Sequence, residues 1–218
     1  MNTTTSLYQN RKIIVLCIIF FVIFLLFSFF RKSLHSTDIT VNLWMVTIHN
    51  DVAVLMAKAL SIAFDTIPLL IASLVTASFL FIKKYKTQSL LLLMSVGGNA
   101  LFVAILKNLI QAARPENQLL YSSGFSYPSG HITGTIIFIG LIAYFVWLNW
   151  NSSQRVKILS LTSFGLIVAF VSFDRIYLNV HWLSDALGGC LFGAFWLSFC
   201  ILIYKQLKLT GKFTFKRA

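Results

Sequence analysis

The apolar residues of this chain gather into long unbroken runs, separated by short polar clusters that hold most of its charge. That is the pattern of a polytopic membrane protein. A helical span needs roughly 20 mostly apolar residues. Six stretches meet or approach that length, at about 13–30, 61–82, 89–106, 132–150, 156–173 and 186–204. The pattern predicts an all-α protein with six transmembrane helices in one membrane domain over residues 1–218. The connections after the second and fourth runs, Lys83 to Gln88 and Asn151 to Arg155, are short. Those after the first, third and fifth are longer and contain nearly all the polar residues of chemical interest. The first run follows Arg11 and Lys12, lacks a small-residue cleavage site and ends in Arg31-Lys32, so it reads as a retained span rather than a signal peptide. The stretch from Asp38 to Leu60 mixes polar and apolar residues. It reads either as a helix along the interface, with Trp44 at headgroup level, or as an early start to the second span.

Composition fits this reading. Of 218 residues 58% are hydrophobic and 11% charged, with a mean hydropathy of +0.83. A soluble domain of this size cannot hide so much apolar surface. The net charge of +12 would suit nucleic acid, but the basic residues sit between apolar runs and no nucleic-acid partner is expected. Their distribution sets the orientation instead. With the N-terminus in the cytoplasm, the inner segments carry Arg11, Lys12, Lys83, Lys84, Lys86, Arg155, Lys157, Lys205, Lys208, Lys212, Lys216 and Arg217, which is 12 of the 18 lysines and arginines. All six acidic residues fall on or near the outer side. Both termini should therefore be cytoplasmic, and the three long connections should face outward. Cys17, Cys190 and Cys200 all lie inside apolar runs, as small core residues do, and show no metal-ligand spacing.

Three polar clusters carry the candidate chemistry. The first runs from Lys107 to Arg114-Pro115. On a helix the two cations would share a face about 10 Å apart, with the proline ending the helix; alternatively both are interface anchors. The second is Tyr127-Pro128-Ser129-Gly130-His131, before the fourth span. Ser129 is placed as an N-cap with its hydroxyl on a first-turn N–H, and Gly130 would let an anion approach the helix start closely. Its plainer reading is an ordinary helix start with a chance histidine. The third is Asp174-Arg175 followed by His181 and Asp185. A carboxylate four residues from an imidazole can fix its tautomer and stabilise the imidazolium. Its plainer readings are a capped helix start or an incomplete metal pair. Each cluster lies at the outer end of a span. Together they bring three cations, two histidines and a carboxylate to one membrane face, a set that suits a phosphate.

In order and spacing these residues resemble the type 2 phosphatidic acid phosphatase superfamily, the lipid phosphate phosphatases. That family shows K-x6-R-P, then P-S-G-H, then S-R-x5-H-x3-D. Here they are Lys107 with Arg114-Pro115, then Pro128-Ser129-Gly130-His131, then Arg175 with His181 and Asp185. One position departs, since Asp174 stands where the family has serine. The resemblance implies that His181 is a nucleophile forming a phosphohistidine, that Asp185 orients it, and that His131 protonates the leaving oxygen. It further implies that Lys107, Arg114, Arg175, Ser129 and the Gly130 N–H bind the phosphate, with no metal or other cofactor. The partners implied are membrane lipids and a lipid phosphate substrate: undecaprenyl diphosphate, phosphatidylglycerol phosphate, phosphatidic acid or diacylglycerol diphosphate. The compact chain is expected in a bacterial cytoplasmic membrane with its site facing outward. The competing readings are a phosphotransferase using the same phosphoenzyme, a transporter or channel for an anion or lipid, and an inactive lipid-binding relative.

Overall fold

The computed structural model describes residues 3–149 and 153–209. Residue 150 of the fourth run, and Lys212, Lys216 and Arg217 of the inner cations, lie outside them. Eight α-helices and no strand occur among the described residues: α1 Thr3–Phe30, α2 His35–Thr47, α3 Asp51–Ala63, α4 Thr66–Ile82, α5 Lys86–Ile110, α6 Gly130–Asn149, α7 Gln154–Tyr177 and α8 Leu183–Leu209. A 3₁₀ turn over Arg31–Leu34 joins α1 to α2.

The six apolar runs map onto this order. The stretch Arg11–Thr47 and the helices α5, α6, α7 and α8 are each long and apolar enough to cross a membrane. α3 and α4 add a sixth span if the pair, bent by 48°, is taken as one. The mixed segment after the first run forms α2 and α3. Large apolar side chains such as Val15, Ile18 and Leu26 on α1 and Leu159, Leu166 and Phe170 on α7 are exposed. So wide an apolar surface suits contact with lipid rather than water.

Capping residues set where the helices begin. Asn50 accepts the Ala53 N–H at 2.9 Å ahead of α3, and the Asp65 carboxylate accepts the Thr66 N–H at 2.6 Å ahead of α4. Both satisfy orphan first-turn donors. The centre of the bundle is α6 and α8. α8 packs against α1 and α6, and α6 also packs against α4, α5 and α7. Small residues let these helices approach closely: a Cβ at Gly193 would come within 2.8 Å of the Ile136 side chain, and one at Gly188 would run into the Tyr127 ring. α6 and α8 both start at the end of the bundle where α5 and α7 finish. That arrangement gathers the three polar clusters at one end.

Candidate active site

The pairing of Lys107 with Arg114 differs from the expected shared helix face. α5 ends at Ile110, because Gln111 adopts a left-handed conformation (φ 51°) and returns its N–H to the Lys107 carbonyl. Arg114 therefore lies in the loop beyond, ahead of the proline expected to stop the helix. The two cations still converge, through the loop carbonyls. Lys107 Nζ donates to Phe125 O at 2.7 Å, and Arg114 reaches Phe125 O at 3.4 Å, Gly124 O at 3.1 Å and Val180 O at 2.7 Å. Arg114 thus ties the loop before α6 to the turn before α8.

Ser129 holds the cap position before α6, with its carbonyl accepting the Thr133 N–H. Its hydroxyl does not cap. The Ser129 N–H is committed to the Asp185 carbonyl at 3.3 Å, which fixes the residue against α8, and its buried Oγ has no hydrogen-bond partner. Gly130 opens α6 and His131 follows it. Both line a cavity of about 450 Å³ together with Lys107, Arg114 and His181.

His181 lies in the turn ahead of α8 and Asp185 in the first turn of that helix. Their ring and carboxylate meet, Nδ1 to Oδ2, at 3.4 Å. The same Oδ2 accepts the Trp182 N–H at 2.9 Å, which is the return bond of a capping box, so Asp185 closes the helix start from its first turn rather than as the cap itself. Oδ1 accepts from Ser126 Oγ at 3.3 Å and lies 3.9 Å from Arg31 Nη1. The opposite ring nitrogen, Nε2, faces Arg114 Nη1 at 3.4 Å. Burial, then the cations Arg114, Lys107 and Arg175, hold the His181 imidazole neutral well below the ordinary imidazole value. With Nδ1–H turned to the carboxylate, Nε2 keeps its lone pair.

Arg175 is wholly buried near the end of α7. Its Nη1 donates to Ser61 Oγ on α3 and lies 3.6 Å from Asp174 Oδ2. Nε and Nη2, which share one edge of the guanidinium, have no partner. An unpaired edge of that kind has the geometry to hold two oxygens of a tetrahedral oxyanion.

Several neighbours belong to no motif. The elbow between α3 and α4 supplies Ser61 to Arg175 and Asp65 to His131, whose Nε2 is 3.5 Å from Asp65 Oδ1. The signal for Asp65 was its place ahead of Thr66-Ile67-Pro68, a helix-start pattern. Arg31, which in the sequence only marks the end of the first apolar run, lies 5.0 Å over the Tyr127 ring and backs Asp185. Among the described residues no three His, Cys, Asp or Glu side chains gather as metal ligands. Cations, a bare hydroxyl and a neutral imidazole can hold an oxyanion and attack its central atom.

The PAP2 superfamily model matches residues 88–209, a range that includes all three clusters. Phosphatidylglycerophosphatase B of Bacillus subtilis (strain 168) is 32% identical over 128 residues, 58% of this chain and 62% of that protein. The putative undecaprenyl-diphosphatase YbjG of Escherichia coli (strain K12) is 34% identical over 77 residues, 35% of this chain and 34% of that protein. The chain spans less than two thirds of the length of either relative. A crystal structure of a transmembrane PAP2 type phosphatidylglycerolphosphate phosphatase from Bacillus subtilis superposes with a TM-score of 0.76 at 24% identity, over 92% of this chain and 98% of that one. The shared architecture is that of a multi-pass membrane protein.

Proposed function

The chain belongs to the PAP2 superfamily, and from that premise we propose that it hydrolyses a lipid phosphate through a phosphohistidine. One observation carries the reading. The 450 Å³ cavity is polar at one end, with Lys107, Arg114, His131 and His181, and mostly apolar further on, where Leu69 and Leu70 of α4 face Val96, Ala100 and Val103 of α5 with Asn99 among them. From Lys107 to Val96 the cavity follows α5 for about 16 Å at roughly 1.5 Å per residue. A ligand that fills it has an anionic head and an apolar tail.

In the proposed reaction the Arg175 fork, Lys107, Arg114, Ser129 Oγ and the Gly130 N–H hold the phosphate oxygens. His181 Nε2 attacks phosphorus, and the bond to the lipid oxygen breaks. His131 gives that oxygen its proton. Asp185 faces the positive charge that develops on the His181 ring. Water, giving its proton to His131, then attacks the phosphohistidine, releasing phosphate and restoring neutral His181. Residues 1–218 act as one membrane domain. The excess of inner cations puts both termini in the cytoplasm and the site on the outer face of a bacterial cytoplasmic membrane. On that orientation α2 and α3 lie at the outer interface.

The test is His181→Ala purified in detergent and assayed for phosphate release from a panel of lipid phosphates and diphosphates. It should release none and form no acid-labile phosphoenzyme. Near-normal turnover would overturn the proposal.

A further inference from the structure

The comparison relatives are named for two kinds of leaving group. Phosphatidylglycerophosphatase B is named for a phosphomonoester and YbjG for a diphosphate. Asp65 sits at the elbow as the cap of α4, with Oδ1 on the Thr66 N–H at 2.6 Å. The same oxygen is 3.5 Å from His131 Nε2, and both side chains line the cavity that holds His181, Lys107 and Arg114. Among the described residues no other carboxylate lies within 4 Å of His131. The other titratable groups facing this ring are Arg175 on α7, Lys107 on α5 and His181.

We propose that Asp65 is a positioning residue that adapts this site to phosphomonoesters of lipid alcohols and against diphosphates. This rests on His131 being the proton donor of the reaction above. A carboxylate on Nε2–H favours the imidazolium and orients it, which leaves Nδ1–H for the leaving oxygen. A monoester needs that proton. Its P–O bond breaks as the His181 Nε2–P bond forms, and the oxygen departs as an alcohol only if it is protonated. A diphosphate loses a phosphate monoester instead, an anion stable without the proton. That anion would have to form beside His131, next to the negative charge of Asp65. One carboxylate therefore assists the first reaction and opposes the second.

The experiment compares diacylglycerol monophosphate with diacylglycerol diphosphate of the same acyl chains, using Asp65→Asn in the full chain. Asparagine caps a helix about as well as aspartate, so α4 keeps its start. On the monophosphate, kcat should fall about tenfold or more with KM little changed. The alkaline limb of its pH–rate profile should move to lower pH. Turnover of the diphosphate should hold or rise, so the monophosphate-to-diphosphate ratio falls at least tenfold. An equal loss on both lipids, or an unmoved ratio and pH profile, overturns the inference. If Asp65→Asn does not fold, Asp65→Ser, which also caps, is read in the same way. His181→Ala is assayed in parallel. Should it release phosphate, the phosphohistidine reading fails. Should it be inactive while Asp65→Asn leaves the ratio unmoved, the inference about Asp65 alone fails.

Discussion

Asp185→Asn separates the charge behind the proposed nucleophile from the geometry that holds it. In the native chain Oδ2 accepts both the Trp182 N–H and the His181 ring, while Oδ1 faces Ser126 Oγ and Arg31. An asparagine with its oxygen in the Oδ2 position keeps the first pair of bonds. Its amide then faces the Ser126 hydroxyl, which can accept. The cap and the tautomer survive, and what disappears is one negative charge. Two full charges separated by the observed 3.4 Å would interact by about 5 kcal/mol at an effective dielectric of about 20. If about half a charge has developed on the ring in the transition state, the loss is about 2.5 kcal/mol. At about 1.4 kcal/mol per decade, kcat should fall about 60-fold. KM should stay within about threefold, because the loss belongs to the transition state. Stability should fall by no more than about 1–3 kcal/mol, the cost of disturbing a buried polar group. The assay is phosphate release from a lipid phosphate in detergent micelles, run beside a thermal melt of the same sample. A correctly folded variant keeping more than about a fifth of native kcat would refute the reasoning.

Two further outcomes follow from the same geometry. Gly188→Ala drives a methyl into the buried Tyr127 ring, whose hydroxyl is held by Ser28 at 2.7 Å; it should cost about 1–3 kcal/mol of stability and lower kcat by displacing the Tyr127–Ser129 segment, and a thermal melt with activity unchanged would contradict that. His181 is held neutral in the fold by burial and by Arg114, Lys107 and Arg175, so the unfolded chain binds its proton more readily. The stability it contributes is complete above the ordinary imidazole value and is lost as pH falls below about 6.5, by at most about 1.4 kcal/mol per pH unit. His181→Gln should flatten the slope of melting temperature against pH in that window, and identical slopes would count against a depressed His181.

The parts of the structure that the sequence displays are those governed by run length and by local order. A bilayer demands long apolar helices, so the span regions stand out, and α5, α7 and α8 extend only a few residues past their runs. The three motifs are legible because each keeps its residues within a few turns of chain. What is hidden depends on tertiary contact or on one backbone angle. Ser61 and Asp65 reach Arg175 and His131 from far along the chain, and only the bend between α3 and α4 brings them there. The end of α5 turns on Gln111 at positive φ, a conformation that the residue type does not announce. Ser129 fits a cap by type, but its N–H is claimed by α8, a partner no local pattern contains.

Asp174 shows how a departure from a motif can be absorbed by geometry. A carboxylate beside a phosphate-binding arginine would be expected to compete for it. Here Asp174 Oδ2 approaches Nη1 at 3.6 Å, the same corner that Ser61 occupies, and leaves the buried edge formed by Nε and Nη2 without a partner. The acid therefore makes no contact with that edge. It does offset part of the guanidinium charge, so in the proposed reaction Arg175 serves more through the direction of its fork than through its net field. Lys107 and Arg114 are different. Their hydrogen bonds run to backbone carbonyls and the His181 ring, and among the described residues no carboxylate lies within 4 Å of either. Asp185 acts on both only from longer range, so in the proposed reaction most of their charge is left for an anion. In the proposed reaction the work of binding would be divided: Arg175, held by Ser61 and Asp174, would set the orientation of the phosphate, and the two loop-facing cations would supply the attraction that draws it in.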